Sequence, residues 1–215
     1  MKPSGPLFTL LAGLLLGIFM LSLNATTGTR ATASSNDVTA TPTPAAPSTA
    51  PPTSPSPTAT LPADADYAGR TADDTASVAV SVRDGKAIGY FCDGRSRESW
   101  LKGDVEEDGS MALSGTDGAR LDGVLRAGKI DGKVTVGDRT RQFTAAPAVK
   151  PSGLYRATAE VRGAKIVGGW IVLQNGRQVG ILNRDGKPGA APRIDPASGA
   201  VTVDGTRLTA RPVVP

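Results

Sequence analysis

Ser99-Trp100-Leu101-Lys102 has the spacing of a serine nucleophile whose lysine, three residues on, helps to activate it. Enzymes built on that motif also need S-D-N-like and K-T-G partners, and the chain has neither. Asp104-Val-Glu106-Glu-Asp108-Gly109 places oxygen ligands at alternate positions before a glycine, as the first half of a calcium loop does. The twelfth position, where a bidentate Glu belongs, is Gly115, so the segment reads first as a solvated hairpin turn. A weak calcium site at Asp104, Glu106 and Asp108 is the remaining metal reading. Glu98, Glu106 and Glu107 could pair as acid and base in a glycosidase, yet their polar surroundings favour surface positions.

There is no histidine and one cysteine, Cys92. That removes Ser-His and Cys-His nucleophile pairs, imidazole acid–base catalysis, His-ligated zinc and paired-thiol chemistry. No G-x-G-x-x-G or Walker pattern cradles a phosphate, and no cofactor is implied. The composition therefore argues against an enzyme. Cys92 reads as a small buried hydrophobe rather than a surface thiol.

Charge is the more informative signal. Residues 66–138 hold ten basic and fourteen acidic groups, whereas 139–193 hold ten basic and two acidic. If a binding surface exists, its candidates are Arg139, Arg141, Arg156, Arg162, Arg177 and Arg184, with Tyr90 and Trp170 as aromatic anchors. The partners that fit are an anionic cell-wall polymer or an envelope protein. Nucleic acid does not fit, because aromatic stacking platforms are scarce.

The elements that must position these residues come next. Lys2 precedes an apolar run from Leu7 to Leu23, so residues 1–30 read as a signal peptide or a signal-anchor helix. Lys2 stays inside and the rest is exported, so the membrane is a partner through this helix if it is not cleaved. Residues 31–65 are almost entirely Thr, Ala, Pro and Ser, a disordered stalk with too little apolar surface to fold.

Residues 66–215 form the β-domain. Asp-Gly pairs at Asp84, Asp93, Asp108, Asp117, Asp122, Asp131, Asp185 and Asp204, with Asn175-Gly176, mark repeated chain reversals. The runs between them alternate apolar with polar, as strands do, and residues 119–146 read as a hairpin with a return strand. Gly123 and Gly132 within that pattern suggest strand bends or close backbone approach. Val78–Phe91 and Gly169–Leu182 match at an offset of 91 residues, which predicts a duplicated unit with half one at 66–150 and half two at 151–215. Treating both turns as two-residue type I′ puts Val78, Val80, Val82, Ala87 and Phe91 on one core face, and Ile171, Leu173, Gly180 and Leu182 on the other. The expected fold is all-β: duplicated antiparallel hairpins forming a barrel or sandwich, behind one apolar helix and a Pro/Thr linker. The opposite faces, with Tyr90, Trp170 and Ile181, are too apolar for plain solvent, so either the sheet closes into a barrel or sandwich or the face meets a partner.

The Thr-Pro stalk, the Ala/Arg/Gly/Asp-rich composition and the Tyr90-Phe-Cys-Asp-Gly94 segment resemble exported, membrane-anchored β-domain proteins of high-GC Gram-positive bacteria. The resemblance implies an envelope location and carries no site residues. The expected function is a non-enzymatic extracytoplasmic binding or structural domain on a stalk. An alternative is a barrel carrier of a small apolar ligand lined by Tyr90, Ile88, Trp170 and Ile181; a hydrolase using carboxylates or Ser99 is the third.

Overall fold

Four of the Asp-Gly pairs, Asp84-Gly85, Asp117-Gly118, Asp185-Gly186 and Asp204-Gly205, hold two successive positive φ angles. That is the backbone of a type I′ turn, whose twist matches the strands on either side. Asp122-Gly123 and Asp131-Gly132 instead lie inside strands and face each other across a ladder. A Cβ built on Gly132 would lie 2.3 Å from the Asp122 carbonyl oxygen, so the close approach expected there is present. The computed structural model describes residues 64–215. The leader and the stalk up to residue 63 lie outside the described residues.

The first eight strands are β1 (Asp64–Thr71), β2 (Ser77–Arg83), β3 (Lys86–Cys92), β4 (Glu98–Asp104), β5 (Ser110–Gly115), β6 (Arg120–Arg126), β7 (Lys129–Val136) and β8 (Arg139–Pro147). Each pairs antiparallel with the next, and β1 pairs with β8 to close a barrel. Closure removes every free sheet edge from this half. Val78, Val80, Phe91, Leu101, Leu113 and Ile130 are all at most 1% exposed and fill the interior. Eight strands enclose a space that side chains can fill, and here they do. The core face expected for the first hairpin is this interior.

After a short connector the chain forms β9 (Gly153–Val161), β10 (Ala164–Val172), β11 (Gln178–Arg184), β12 (Lys187–Ala190), β13 (Ala200–Val203), β14 (Thr206–Thr209) and β15 (Arg211–Pro212). The sheet order is β12-β11-β10-β9-β15, with β13 and β14 as a separate ribbon. The two segments thus differ in architecture: the first closes on itself, while the second is an open sheet with a ribbon. The expected repeat does not extend to strand organisation.

The second hairpin also departs from its expected register. Leu173 N–H donates to the Arg177 carbonyl and Gly176 N–H to the Leu173 carbonyl, each at 2.9 Å. Gly176 alone has positive φ, and the Asn175 side chain accepts from the Arg177 N–H at 3.0 Å. This three-residue loop ends in a glycine bulge, so Ile171 pairs with Val179 rather than Gly180. A slip of one residue exchanges the faces of the returning strand. Ile171, Leu173, Val179 and Ile181 therefore share one face, and Trp170, Val172 and Leu182 the other.

Both faces are covered, which explains the nearly continuous apolar run Ile166–Val172. One face packs against the outside of the barrel, where Ala68, Ala79, Tyr90 and Cys92 meet Leu154, Ile171 and Ile181. The other packs under the ribbon, with Trp170 and Ile166 against Val201, Val203 and Ile194. The result is three layers: barrel, sheet and ribbon.

Candidate functional site

Arg139 and Arg141 lie at the start of β8, opposite Val136 and Val134. Val134 is part of the barrel interior, so both arginines take the inward side of the strand at its end. There the barrel is open, and the Arg141 guanidinium lies 5.7 Å from the centre of the Phe91 ring. Arg177, on the β10–β11 loop, reaches the same region, as do Arg70 at the end of β1 and Arg95 on the β3–β4 loop. Together these five arginines line a cleft of about 690 Å³ above the barrel mouth and beside β11.

Asp73, Asp74 and Asp93 share this cleft. Asp93 is turned inward on its own loop, where Oδ1 accepts the N–H groups of Arg95, Ser96 and Arg97 at 2.8–3.0 Å. Burial opposes its charge, but those three donors prevail and hold its carboxyl below the ordinary range. Asp73 is held well below that range by the Thr71 hydroxyl and the Thr75 N–H, with Arg141 adding at 3.2 Å. Asp74, in left-handed conformation at φ 53°, pairs with Arg70 and lies 3.9 Å from Arg177. Among the described residues, Arg95 and Arg139 pair with no carboxylate. With five cations to three anions, and two of the arginines without a carboxylate partner among the described residues, the cleft carries an excess of positive charge.

Three of the six arginines proposed from sequence thus converge, and three do not. Arg156 lies over the Trp100 ring at 4.6 Å, Arg184 pairs with Asp204, and Arg162 sits in the β9–β10 turn at φ 52°. The two aromatic residues need correction. Tyr90 is 0% and Trp170 1% exposed, so neither is an anchor on a ligand-facing surface. The ribbon covers the Trp170 face of the sheet, and the barrel–sheet contact encloses Tyr90. The carrier lining fails for the same reason: Tyr90, Ile88 and Ile181 pack between barrel and sheet, and Trp170 lies on the far side.

Ser99 and Lys102 point to opposite faces of β4, as strand residues three apart must, so the lysine cannot reach the hydroxyl. Ser99 Oγ is buried in the barrel without a partner among the described residues. Asp104 pairs across the strands with Lys86, and Asp108 Oδ1 accepts the Ser110 N–H at 2.8 Å in the β4–β5 turn. Those carboxylates are occupied in holding a hairpin. Burial pushes the Cys92 thiol up to about 12, consistent with its expected place as a buried hydrophobe.

Glu98 is the carboxylate that sequence reasoning placed wrongly. It pairs across the ladder with Cys92, on the barrel face that the sheet covers. Tyr90 O–H donates to its Oε2 at 2.6 Å, and Trp100 stacks beside Tyr90 with ring centres 4.2 Å apart. Burial raises its pKa, against the pull of Tyr90 and Arg156. A raised native pKa means that the fold favours the protonated form. This group's contribution is complete at acid pH and is lost as pH climbs through the native value. Glu98→Gln removes that loss, so its melting temperature should exceed the parent's at pH 7 and converge with it near pH 4. Parallel melting curves across that range would refute this reading.

No protein-family model, no curated protein and no solved structure matches the chain.

Proposed function

We propose that this chain is a non-catalytic, extracytoplasmic binding protein that grips anionic groups of an envelope polymer in the arginine cleft. The apolar leader exports it, the Thr/Pro stalk spaces it from the membrane, and the barrel and sheet form the binding body. One observation carries this reading: five arginines from four separate places in the chain, 70, 95, 139 with 141, and 177, meet in a single cleft. Arginine suits the task because its planar fork stays charged and can hold an oxyanion with two hydrogen bonds. The absence of histidine from the chain and the failed Ser99–Lys102 geometry support binding rather than catalysis.

Retention on isolated cell wall tests it. The full chain should be retained at low ionic strength and released as salt approaches 1 M, where screening acts over about 3 Å. Arg139→Ala with Arg177→Ala should weaken retention by at least about tenfold, the size of losing one charge-assisted contact. Arg184→Ala, far from the cleft chemistry, should leave it unchanged. Salt-independent retention, or equal loss in all variants, would reject the proposal.

A further inference from the structure

The cleft already contains its own anion. Asp74 sits on the β1–β2 turn, four residues from Arg70, and its carboxylate lies between Arg70 and Arg177, which come from the barrel and the β10–β11 loop. Asp73 does the same for Arg141 at 3.2 Å. The two differ in how firmly they are held. Asp73 Oδ1 also accepts the Thr71 hydroxyl and, at 3.1 Å, the Thr75 N–H, so it is part of the turn's own structure. The Asp74 carboxylate is 70% exposed and, among the described residues, makes no side-chain contact beyond the two arginines. Of the two, it is the less firmly held by its own turn.

We propose that Asp74 acts as an internal competitor that raises the threshold for every incoming anion alike, so that a phosphate group, with charge near −2, still occupies the cleft where a single carboxylate does not. This rests on the anion-binding reading above. A side chain tethered this close is present at an effective concentration in the millimolar range or higher. A free carboxylate exchanging with it replaces one monoanionic, two-oxygen acceptor by another and gains little. A phosphate brings charge of about −1.5 to −2 and three acceptor oxygens. It can engage Arg70 and Arg177 together with Arg139, which has no carboxylate partner among the described residues. The preference for phosphate comes from the arginines, and the expulsion of Asp74 sets the affinity that any ligand must exceed.

The test uses the purified full chain, with inorganic phosphate and acetate as probes followed by NMR shifts of cleft amides at pH 7.5. Asp74→Asn is the informative variant, because Asn tolerates the left-handed backbone that Asp74 occupies. The parent should bind phosphate at least about tenfold more tightly than acetate, and Asp74→Asn should strengthen both probes without narrowing that ratio. If Asp74→Asn strengthens neither probe while Arg177→Ala weakens both, the competitor role is overturned and the anion site stands. If neither probe shifts cleft amides in the parent, the anion-binding reading falls as well. Methyl phosphate and a polyol-phosphate chain, added as further arms, separate a terminal phosphate from a repeated phosphodiester as the preferred source.

Discussion

Trp170→Ala lowers the unfolding free energy by about 3–5 kcal/mol, the range for emptying a fully enclosed large aromatic site. The indole is 1% exposed and lies over Gly180, where an added Cβ would come within 2.8 Å of its Cδ1. Its Nε1 donates to the Pro192 carbonyl at 2.7 Å, so truncation also strands a buried acceptor. Val172, Ile194 and Val201 surround it from three different strands or loops and cannot all close the gap. Equilibrium urea unfolding with an unchanged slope checks this. A loss below about 1 kcal/mol, with weakened polymer binding, would instead return Trp170 to a ligand-facing role.

The second large effect concerns the seam that closes the barrel. Gly69 of β1 pairs with Ala145 of β8, and a Cβ added there would lie 1.9 Å from the Thr144 carbonyl oxygen and 2.7 Å from Ala145 Cα. The obstacles are backbone, so no rotamer change relieves them. Strand propensity alone favours any residue over glycine in this position. Local geometry predicts the reverse: Gly69→Ala should cost at least the 1–3 kcal/mol usual for overpacking, because the β1–β8 ladder itself must part. Gly189→Ala provides the control, since a Cβ there meets nothing within 4 Å; it should stay within about 0.5 kcal/mol of the parent. Thermal unfolding of the two variants decides between the views. A Gly69→Ala protein as stable as Gly189→Ala would show that the seam is not closed.

Much of the fold was legible wherever local chemistry governs it. Two-residue Asp-Gly turns declared themselves at Asp84, Asp185 and Asp204, and β6, β7 and β8 fall within a residue or two of the runs read from alternation. The register at Leu173–Arg177 was not legible. Asn-Gly suits a two-residue turn as well as the bulged loop that formed, and the bulged loop is the one that sets Val179 and Ile181 beside Ile171 against the barrel. Burial of Glu98 could have been found: its ladder partner is Cys92, on a face already recognised as too apolar for water.

The cleft was half legible. Arg139 and Arg141 stood out as a basic stretch, but nothing local says that inward positions of β8 reach solvent at the barrel mouth. Arg70, Asp73 and Asp74 carry no sequence signal of a site, because their meeting with Arg177 depends on two segments about a hundred residues apart. Sequence spacing carries contacts along one strand or turn; it does not carry those made by layers closing on each other.

The position of β1 in the barrel has a mechanical consequence. The chain enters the described body at Asp64, and β1 runs from there to the turn that carries Asp73 and Asp74 at the mouth of the cleft. Eight strand residues set these points roughly 25 Å apart along the barrel. A body tethered through the residues before Asp64 and holding a ligand at its other end would bear tension along the axis of β1. Its two ladders, to β2 and to β8, would then be loaded in shear, with their hydrogen bonds resisting together rather than peeling one after another. Under such a load β1, paired on both sides, would resist through two ladders at once.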